Sequence, residues 1–303
     1  MSKTHQAIQF TAYGGSDVLK LETLPVPVPG AGEVLIKVLF AGVNPIDWKL
    51  RSGAYQAFMP VTFPSRPGID VAGVIEEVGP EVATWKKGQA VFGLARGGYA
   101  EFAVAKATEI AAKPETLSFE NAAALPVGAL TAWQLVEEAG VNASHRVLVQ
   151  GAAGGVGLFA VQFAKLRGAH VFGSASGANG EFVRGLGAEP LDYAKGVLSV
   201  KNLDVVIDTV GGAVLESSYA LLKKGGVLVT AAGQPSAERA KALGITAKSV
   251  GRGPATSLAI IADLAAAGKI RVEVQKAFPL AQAAQAHELS QGGHGRGRIL
   301  LKV

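Results

Sequence analysis

Between Val147 and Lys165 the chain reads VLVQGAAGGVGLFAVQFAK, with four glycines in the seven residues from Gly151 to Gly157. An apolar run precedes the glycines and an amphipathic run follows, the pattern of a strand turning into a helix. Ala152, Gly154 and Gly157 take the three positions of a G-x-G-x-x-G fingerprint, with alanine in the first. In such a turn the backbone of Ala153, Gly154, Gly155 and Val156 comes within reach of a pyrophosphate. The helix N-terminus offers free N–H groups to the anion, and the third glycine lets helix and strand approach closely. The pattern predicts binding of a dinucleotide.

The choice of dinucleotide turns on the ribose. Folds that prefer NAD place an acid about 20 residues on, at the end of the second strand. Here that place reads FGSASGANG, with Ser174 and Ser176 and no carboxylate until Glu181. Hydroxyls bond a 2′-phosphate that a carboxylate would repel. Arg184 on the following helix adds positive charge, and Tyr193 ends the next strand near the adenosine. The expected cofactor is NADPH.

The elements that must position this turn follow from the rhythm of the chain. From His145 onward apolar strands (RVLVQ, HVFGSAS, EPLDY, DVVIDTV, GGVLVTAAG) alternate with helical stretches (LFAVQFAKLRG, GEFVRGLG, AVLESSYALLKK). Such alternation implies a parallel sheet covered on both faces. The first third is instead a series of short β-patterned runs separated by Gly and Pro, and PVPVPG reads as an extended connector. Helical patterning begins at Ser118, an N-cap with Glu120 in the first turn. Pro126 interrupts it, and it resumes to Gly140. Near the end SLAIIADLAAAGKI reads as a helix, followed by strands RVEVQ and GRILLKV.

Composition narrows the function classes. There are no cysteines, which removes disulfides, thiolate metal sites and a cysteine nucleophile. The net charge is +5, but the basic residues are spread out apart from Lys86-Lys87, Lys223-Lys224 and Arg296/Arg298. That dispersal argues against a nucleic-acid partner. The five histidines, His5, His145, His170, His287 and His294, have no metal-binding spacing. The opening MSKTHQAIQF lacks an export pattern, so the cytoplasm is the expected location.

With AGVNPIDWKLRSGAY, PGIDVAGVIEEVG, AAALPVGALTAW, GAAGGVG, DVVIDTVGG and GRGRILLKV in view, the chain resembles the zinc-independent, zeta-crystallin-like quinone oxidoreductases of the medium-chain dehydrogenase/reductase superfamily. The resemblance implies an α/β fold: a GroES-like β-rich catalytic domain (1–118 and 264–303) and a Rossmann doubly wound parallel-sheet domain (119–263). It further implies an active site between them, commonly in a homodimer. Zinc-dependent relatives carry Gly-His-Glu where this chain has Gly68-Ile69-Asp70, so no metal is expected.

The implied chemistry is hydride transfer to a quinone or to the β-carbon of an α,β-unsaturated carbonyl (an enone or alkenal), which calls for a donor near the carbonyl oxygen. Asn44, Lys49 and Tyr55 are the expected catalytic donors, and Asp47 is expected to hold Lys49 or a turn. Thr131 matches the family position that meets the nicotinamide. Val210, Ala232 and Gly233 lie at strand ends that receive ligand, with Asp208 bracing that edge, and Gly251 lies in a loop reaching toward the ring. Phe58, Met59, Phe63 and Val250 are the expected pocket walls. Two alternatives remain open: an enoyl-thioester reductase, and an NADPH-binding sensor, structural or RNA-binding protein without turnover.

Overall fold

A computed structural model of the chain describes residues 3–196, 199–293 and 295–303. In order, the elements are β1 (Thr4–Gln9), β2 (Lys20–Pro25), β3 (Glu33–Val43), α1 (Pro45–Arg51), β4 (Asp70–Val78), β5 (Ala90–Leu94), β6 (Phe102–Lys106), β7 (Ile110–Ala112) and α2 (Phe119–Ala123). Next come α3 (Pro126–Glu138), β8 (Arg146–Gln150), α4 (Gly157–Leu166), β9 (His170–Ala175), α5 (Gly180–Gly185), β10 (Glu189–Asp192), β11 (Leu203–Asp208), α6 (Gly212–Ser218), β12 (Leu222–Thr230), α7 (Ala237–Leu243) and β13 (Thr246–Ser249). The chain ends with α8 (Leu258–Ala266), β14 (Val274–Pro279), α9 (Ala283–Gly292) and β15 (Arg298–Lys302).

The contacts separate two compact units, residues 1–127 with 254–303, and residues 128–253. These divisions fall inside the 119–263 span read from the sequence. In the first unit α2 packs on β3 and β4, and α8 packs on β7, so both belong there. Ser118 caps α2, its hydroxyl accepting the Asn121 N–H at 3.1 Å.

The first unit is a seven-stranded sheet with the path β14-β15-β3-β4-β5-β7, β6 also pairing β3, beside a separate β1-β2 pair. Alternate apolar residues of β3 and β4 (Val34, Ile36, Val38, Val71, Ile75) meet Ile299 and Leu301 of β15 in one core. The two ends of the chain are thus one sheet. Their junction is ionic: Arg298, 3% exposed, pairs at 2.7 Å with Asp70, 0% exposed.

The second unit is a parallel sheet in the order β10-β9-β8-β11-β12-β13. Counted along the chain this is 3-2-1-4-5-6, the doubly wound Rossmann arrangement. Leu148, Phe172, Val206 and Leu228 fill the core on one face. β13 and the short helices α1, α7 and α9 lie outside the patterns read from the sequence. The expected helix AVLESSYALLKK stops at Ser218, because Leu222 already pairs with Leu203 in the sheet. The strand read as RVEVQ begins only at Val274, where pairing with Arg298 starts, and runs on to Pro279.

Breaking the buried ion pair leaves one charge without a partner in the core. Arg298→Met is expected to cost about 3–5 kcal/mol in urea denaturation, and the double change with Asp70→Leu to recover much of that loss.

Candidate active site

The glycine turn is built as its chemistry requires. Gly151 leaves β8 at φ +72°, a left-handed conformation that glycine accepts without strain. A Cβ at Gly157 would lie 2.0 Å from the Gly151 carbonyl oxygen; only a residue without one lets α4 start so close to the turn. Within the loop, Ala152 N–H donates to the Ser174 carbonyl (2.9 Å) and Gly154 N–H to the Gly151 carbonyl (2.9 Å). Among the described residues, the N–H groups of Ala153, Gly155, Val156 and Gly157 donate to no acceptor. Four donors at the N-terminus of a ten-residue helix fit the pyrophosphate of a nicotinamide dinucleotide.

The residues expected at the ribose have other partners. The Ser174 hydroxyl is buried, accepts the Gly151 N–H (3.3 Å) and donates to Gln150 Oε1. It braces the turn rather than facing a phosphate. Ser176 begins the loop after β9, where its Oγ accepts from Asn179 Nδ2 (3.1 Å) and keeps its own proton to donate. Arg184 is ion-paired with Glu181. Tyr193, 51% exposed, follows β10. Gln150 went unnoticed in the sequence because nothing local shows that its amide reaches a serine 24 residues away.

The other expected cofactor residues lie where a parallel sheet receives ligand. Val210 and the pair Ala232 and Gly233 follow the carboxyl ends of β11 and β12. Asp208 does brace this edge. Its carboxylate accepts from the N–H groups of Val210 and Gly211, both at 3.1 Å, and from the Thr230 hydroxyl at 2.6 Å. Val250 is buried, its N–H donating to the Thr230 carbonyl (2.8 Å), and the Gly253 N–H reaches the Leu130 carbonyl (3.2 Å). Gly251 lies exposed between these two ties, and Thr131 is buried on α3.

In the first unit, α1 starts at Asn44, with Pro45 in the first turn and Asp47 accepting the Asn44 N–H at 2.8 Å. The Asn44 side chain is committed to the core. Its Oδ1 accepts from Arg298 (2.8 Å) and its Nδ2 donates to Asp70 (3.0 Å). That leaves one amide proton, so Asn44 positions α1 and is a poor candidate for the catalytic donor expected of it. Lys49 and Tyr55 do come together, Nζ donating to the phenol oxygen at 3.1 Å. The ammonium also lies over the Tyr55 ring, 5.2 Å from its centroid. Asp47 holds the turn and not Lys49; its second donor is the Tyr99 hydroxyl at 2.9 Å.

Tyr99 gives its one proton to Asp47, so the contact at 3.3 Å with His287 Nε2 is a donation from the imidazole. Burial, with Arg51 second, lowers the His287 pKa to about 3 and keeps the ring neutral. Burial raises Asp47 to about 7 against the pull of its hydrogen bonds.

The expected pocket walls divide. Phe58 and Met59 are 66% and 45% exposed, whereas Phe63 packs edge-on against Phe10 and Tyr13 over the core. A cavity of about 240 Å³ in this unit is lined by Asp47, Arg66, Ile69 and Arg96 among others, and by none of Phe58, Met59 or Phe63. Ile69 offers no ligand atom and Asp70 is spent on Arg298, so this segment does not fit a metal. Among the described residues no three His, Cys, Asp or Glu converge, and His294 lies outside those residues.

Comparison with known proteins matches both units. Residues 30–115 fit the alcohol dehydrogenase GroES-like domain and residues 186–301 the zinc-binding dehydrogenase family. The quinone oxidoreductase of Mus musculus is 37% identical over 328 residues, spanning 99% of this chain and 98% of the relative. The chain belongs to the quinone oxidoreductase family of the medium-chain dehydrogenase/reductases. The solved quinone oxidoreductase of Coxiella burnetii superposes with a TM-score of 0.91 at 35% identity, covering 99% and 100% of the two chains. A mycobacterial relative solved with NADPH gives 0.87 at 30% identity, covering the same shares. This quinone oxidoreductase family member is therefore an NAD(P)H-dependent oxidoreductase acting on a small molecule. No helix among its described residues is long and apolar enough to cross a membrane.

A carboxyl raised from 3.8 to about 7 binds its proton more tightly folded than unfolded, so its contribution to stability is largest below about pH 4 and is lost as pH rises toward 7. The Asp47→Asn variant lacks this dependence, while the opposing His287 effect is common to both proteins. The stability of wild type relative to the variant, measured by urea midpoints, is expected to fall between about pH 4 and 7 and then level off.

Proposed function

We propose that the protein reduces quinones or α,β-unsaturated carbonyl compounds with a reduced nicotinamide dinucleotide held at the Gly151–Gly157 turn. The observation that carries the reading is the Lys49–Tyr55 pair. Tyr55 accepts from the ammonium and keeps its own O–H to donate, so the pair forms a polarised donor for a carbonyl oxygen that gains negative charge. The names of the relatives support a quinone as acceptor.

When bound, the reduced nicotinamide supplies the hydride. The four N–H groups of the turn hold the pyrophosphate, while the hydroxyls of Thr230 and Thr209 fix the strand ends beside it. Tyr55 donates its O–H to the oxygen that becomes an enolate or hydroquinone anion and can pass it that proton, while the Lys49 ammonium on the phenol oxygen holds Tyr55 in place. Solvent returns the proton to Tyr55. Neither side chain is indispensable, because bulk water also protonates the product oxygen.

Purified protein is expected to consume NADH or NADPH with an ortho-quinone or a 2-alkenal. Tyr55→Phe is expected to lower kcat/KM by about tenfold, with cofactor affinity unchanged. Clear dinucleotide binding without any consumption would reject the reductase reading in favour of a sensor. Complete loss of turnover in Tyr55→Phe would instead make the phenol an obligatory acid.

A further inference from the structure

The segment that carries Tyr55 has few ties to the rest of its unit. Residues 53–61 follow α1 and belong to no helix or strand. Inside the segment the Gln56 N–H donates to the Gly53 carbonyl (3.0 Å) and the Met59 N–H to the Tyr55 carbonyl (2.7 Å). At its start the Gly53 N–H reaches back to the Leu50 carbonyl (3.1 Å) and the Ala54 N–H to the Ser52 hydroxyl (3.4 Å). From outside the segment and the end of α1, a single hydrogen bond among the described residues reaches its backbone. It runs from the Val61 N–H to the Tyr13 hydroxyl, at 2.9 Å.

Tyr13 meets the other end as well. Gly53 lies against its ring, where an added Cβ would stand 3.2 Å from Tyr13 Cγ. Gly53 turns there at φ +79°, which glycine does without strain. The Tyr13 ring also packs edge-on against Phe63, with centroids 4.9 Å apart. The backbone on either side of Tyr13 is itself anchored. Phe10 and Ser65 exchange N–H to carbonyl bonds, both 2.9 Å, and the Gly14 N–H donates to the Arg51 carbonyl at 3.2 Å. The strap from Phe10 to Gly14 is tied to both flanks of the segment, and the Tyr13 side chain spans the gap between its ends.

Tyr55 must hold its hydroxyl on Lys49 Nζ, 3.1 Å away, while aiming its own proton at an acceptor. Its ring also meets Phe58 of the same segment, centroids 4.6 Å apart, so backbone movement there carries the phenol with it. Misplacing a reacting group by an ångström costs up to about a hundredfold in rate. We infer that Tyr13 is a positioning residue for the reduction, clasping residues 53–61 so that the Tyr55 hydroxyl stays within reach of the acceptor oxygen. The inference rests on the proposal that Tyr55 donates to that oxygen.

The test is a double-mutant cycle of Tyr13→Phe and Tyr55→Phe in the purified chain. Turnover of an ortho-quinone and of a 2-alkenal, and dinucleotide affinity, are measured for each protein. Tyr13→Phe keeps a ring against Gly53 and Phe63 and removes the acceptor of the Val61 N–H. It is expected to lower kcat/KM by about fivefold, chiefly through kcat, with dinucleotide affinity unchanged. In the Tyr55→Phe background the same change is expected to have less than about a twofold effect, because the proton it positions is gone. General loosening of the fold would lower turnover by the same factor in both backgrounds, and that result would overturn the inference. So would full activity of Tyr13→Phe. If that variant does not fold, Gly53→Ala takes its place in the cycle with the same expectation, since its methyl pushes the segment off the Tyr13 ring. Unimpaired turnover by Tyr55→Phe alone, or none by wild type, would reject the donor reading and the inference with it. Those results come from proteins that retain Tyr13, which separates the two failures.

Discussion

A guanidinium that has left water needs an anion and fixed hydrogen-bond acceptors, and Arg298 has few ways to find them. It meets Asp70 at the start of β4 and the Asn44 oxygen at the cap of α1. Apolar residues along β15 would tolerate a shift of pairing by two positions, since the same side chains would stay on the buried face. The ion pair does not tolerate it. Arg298 therefore sets which residues of β3 face β15, and through Asn44 it sets where α1 begins. Lys49 and Tyr55 inherit their positions from that start. A buried ion pair is a poor source of stability compared with apolar packing, but it selects one register out of several.

The second unit orders its carboxyl edge by a different device. Ser174 of β9 bonds the Gln150 side chain of β8, Thr209 bonds the Gln150 carbonyl, and Thr230 of β12 bonds Asp208 of β11. These links run across four adjacent strands just outside the ladder. Groups tied to one another before ligand arrives need no ordering when it binds. The same economy explains why the hydroxyl of Ser174 is taken: it ties the Gly151 N–H at the start of the glycine turn to the Gln150 side chain.

Much of this was legible in the sequence where the signal is local. The strand, glycine turn and helix from Arg146 to Leu166 follow from periodicity and turn chemistry alone. The pairing of Arg184 with Glu181 is visible too, as a three-residue helical spacing. Asn44, Pro45 and Asp47 spell a helix start that a search for catalytic donors passed over, although capping and catalysis draw on the same residue types. Nothing local reveals that Ser174 points at Gln150; that needs the order and register of the sheet. Asp70 with Arg298, 228 residues apart, and Asp47 with Tyr99, 52 apart, depend on tertiary pairing that composition does not encode.

The pairing of β15 with β3 bears on how the chain is made. Asn44 and Arg298 are separated by 254 residues, which a ribosome adding about 5–20 residues per second needs tens of seconds to cross. Every strand of the middle unit finds its neighbours within one stretch of nascent chain. The first unit instead waits, with Phe40–Val43 of β3 lacking their partner strand and its core missing Ile299 and Leu301. An open apolar edge is a template for pairing with another chain. The growing polypeptide must hold that edge unpaired, or have it shielded by a chaperone, until its last strand emerges.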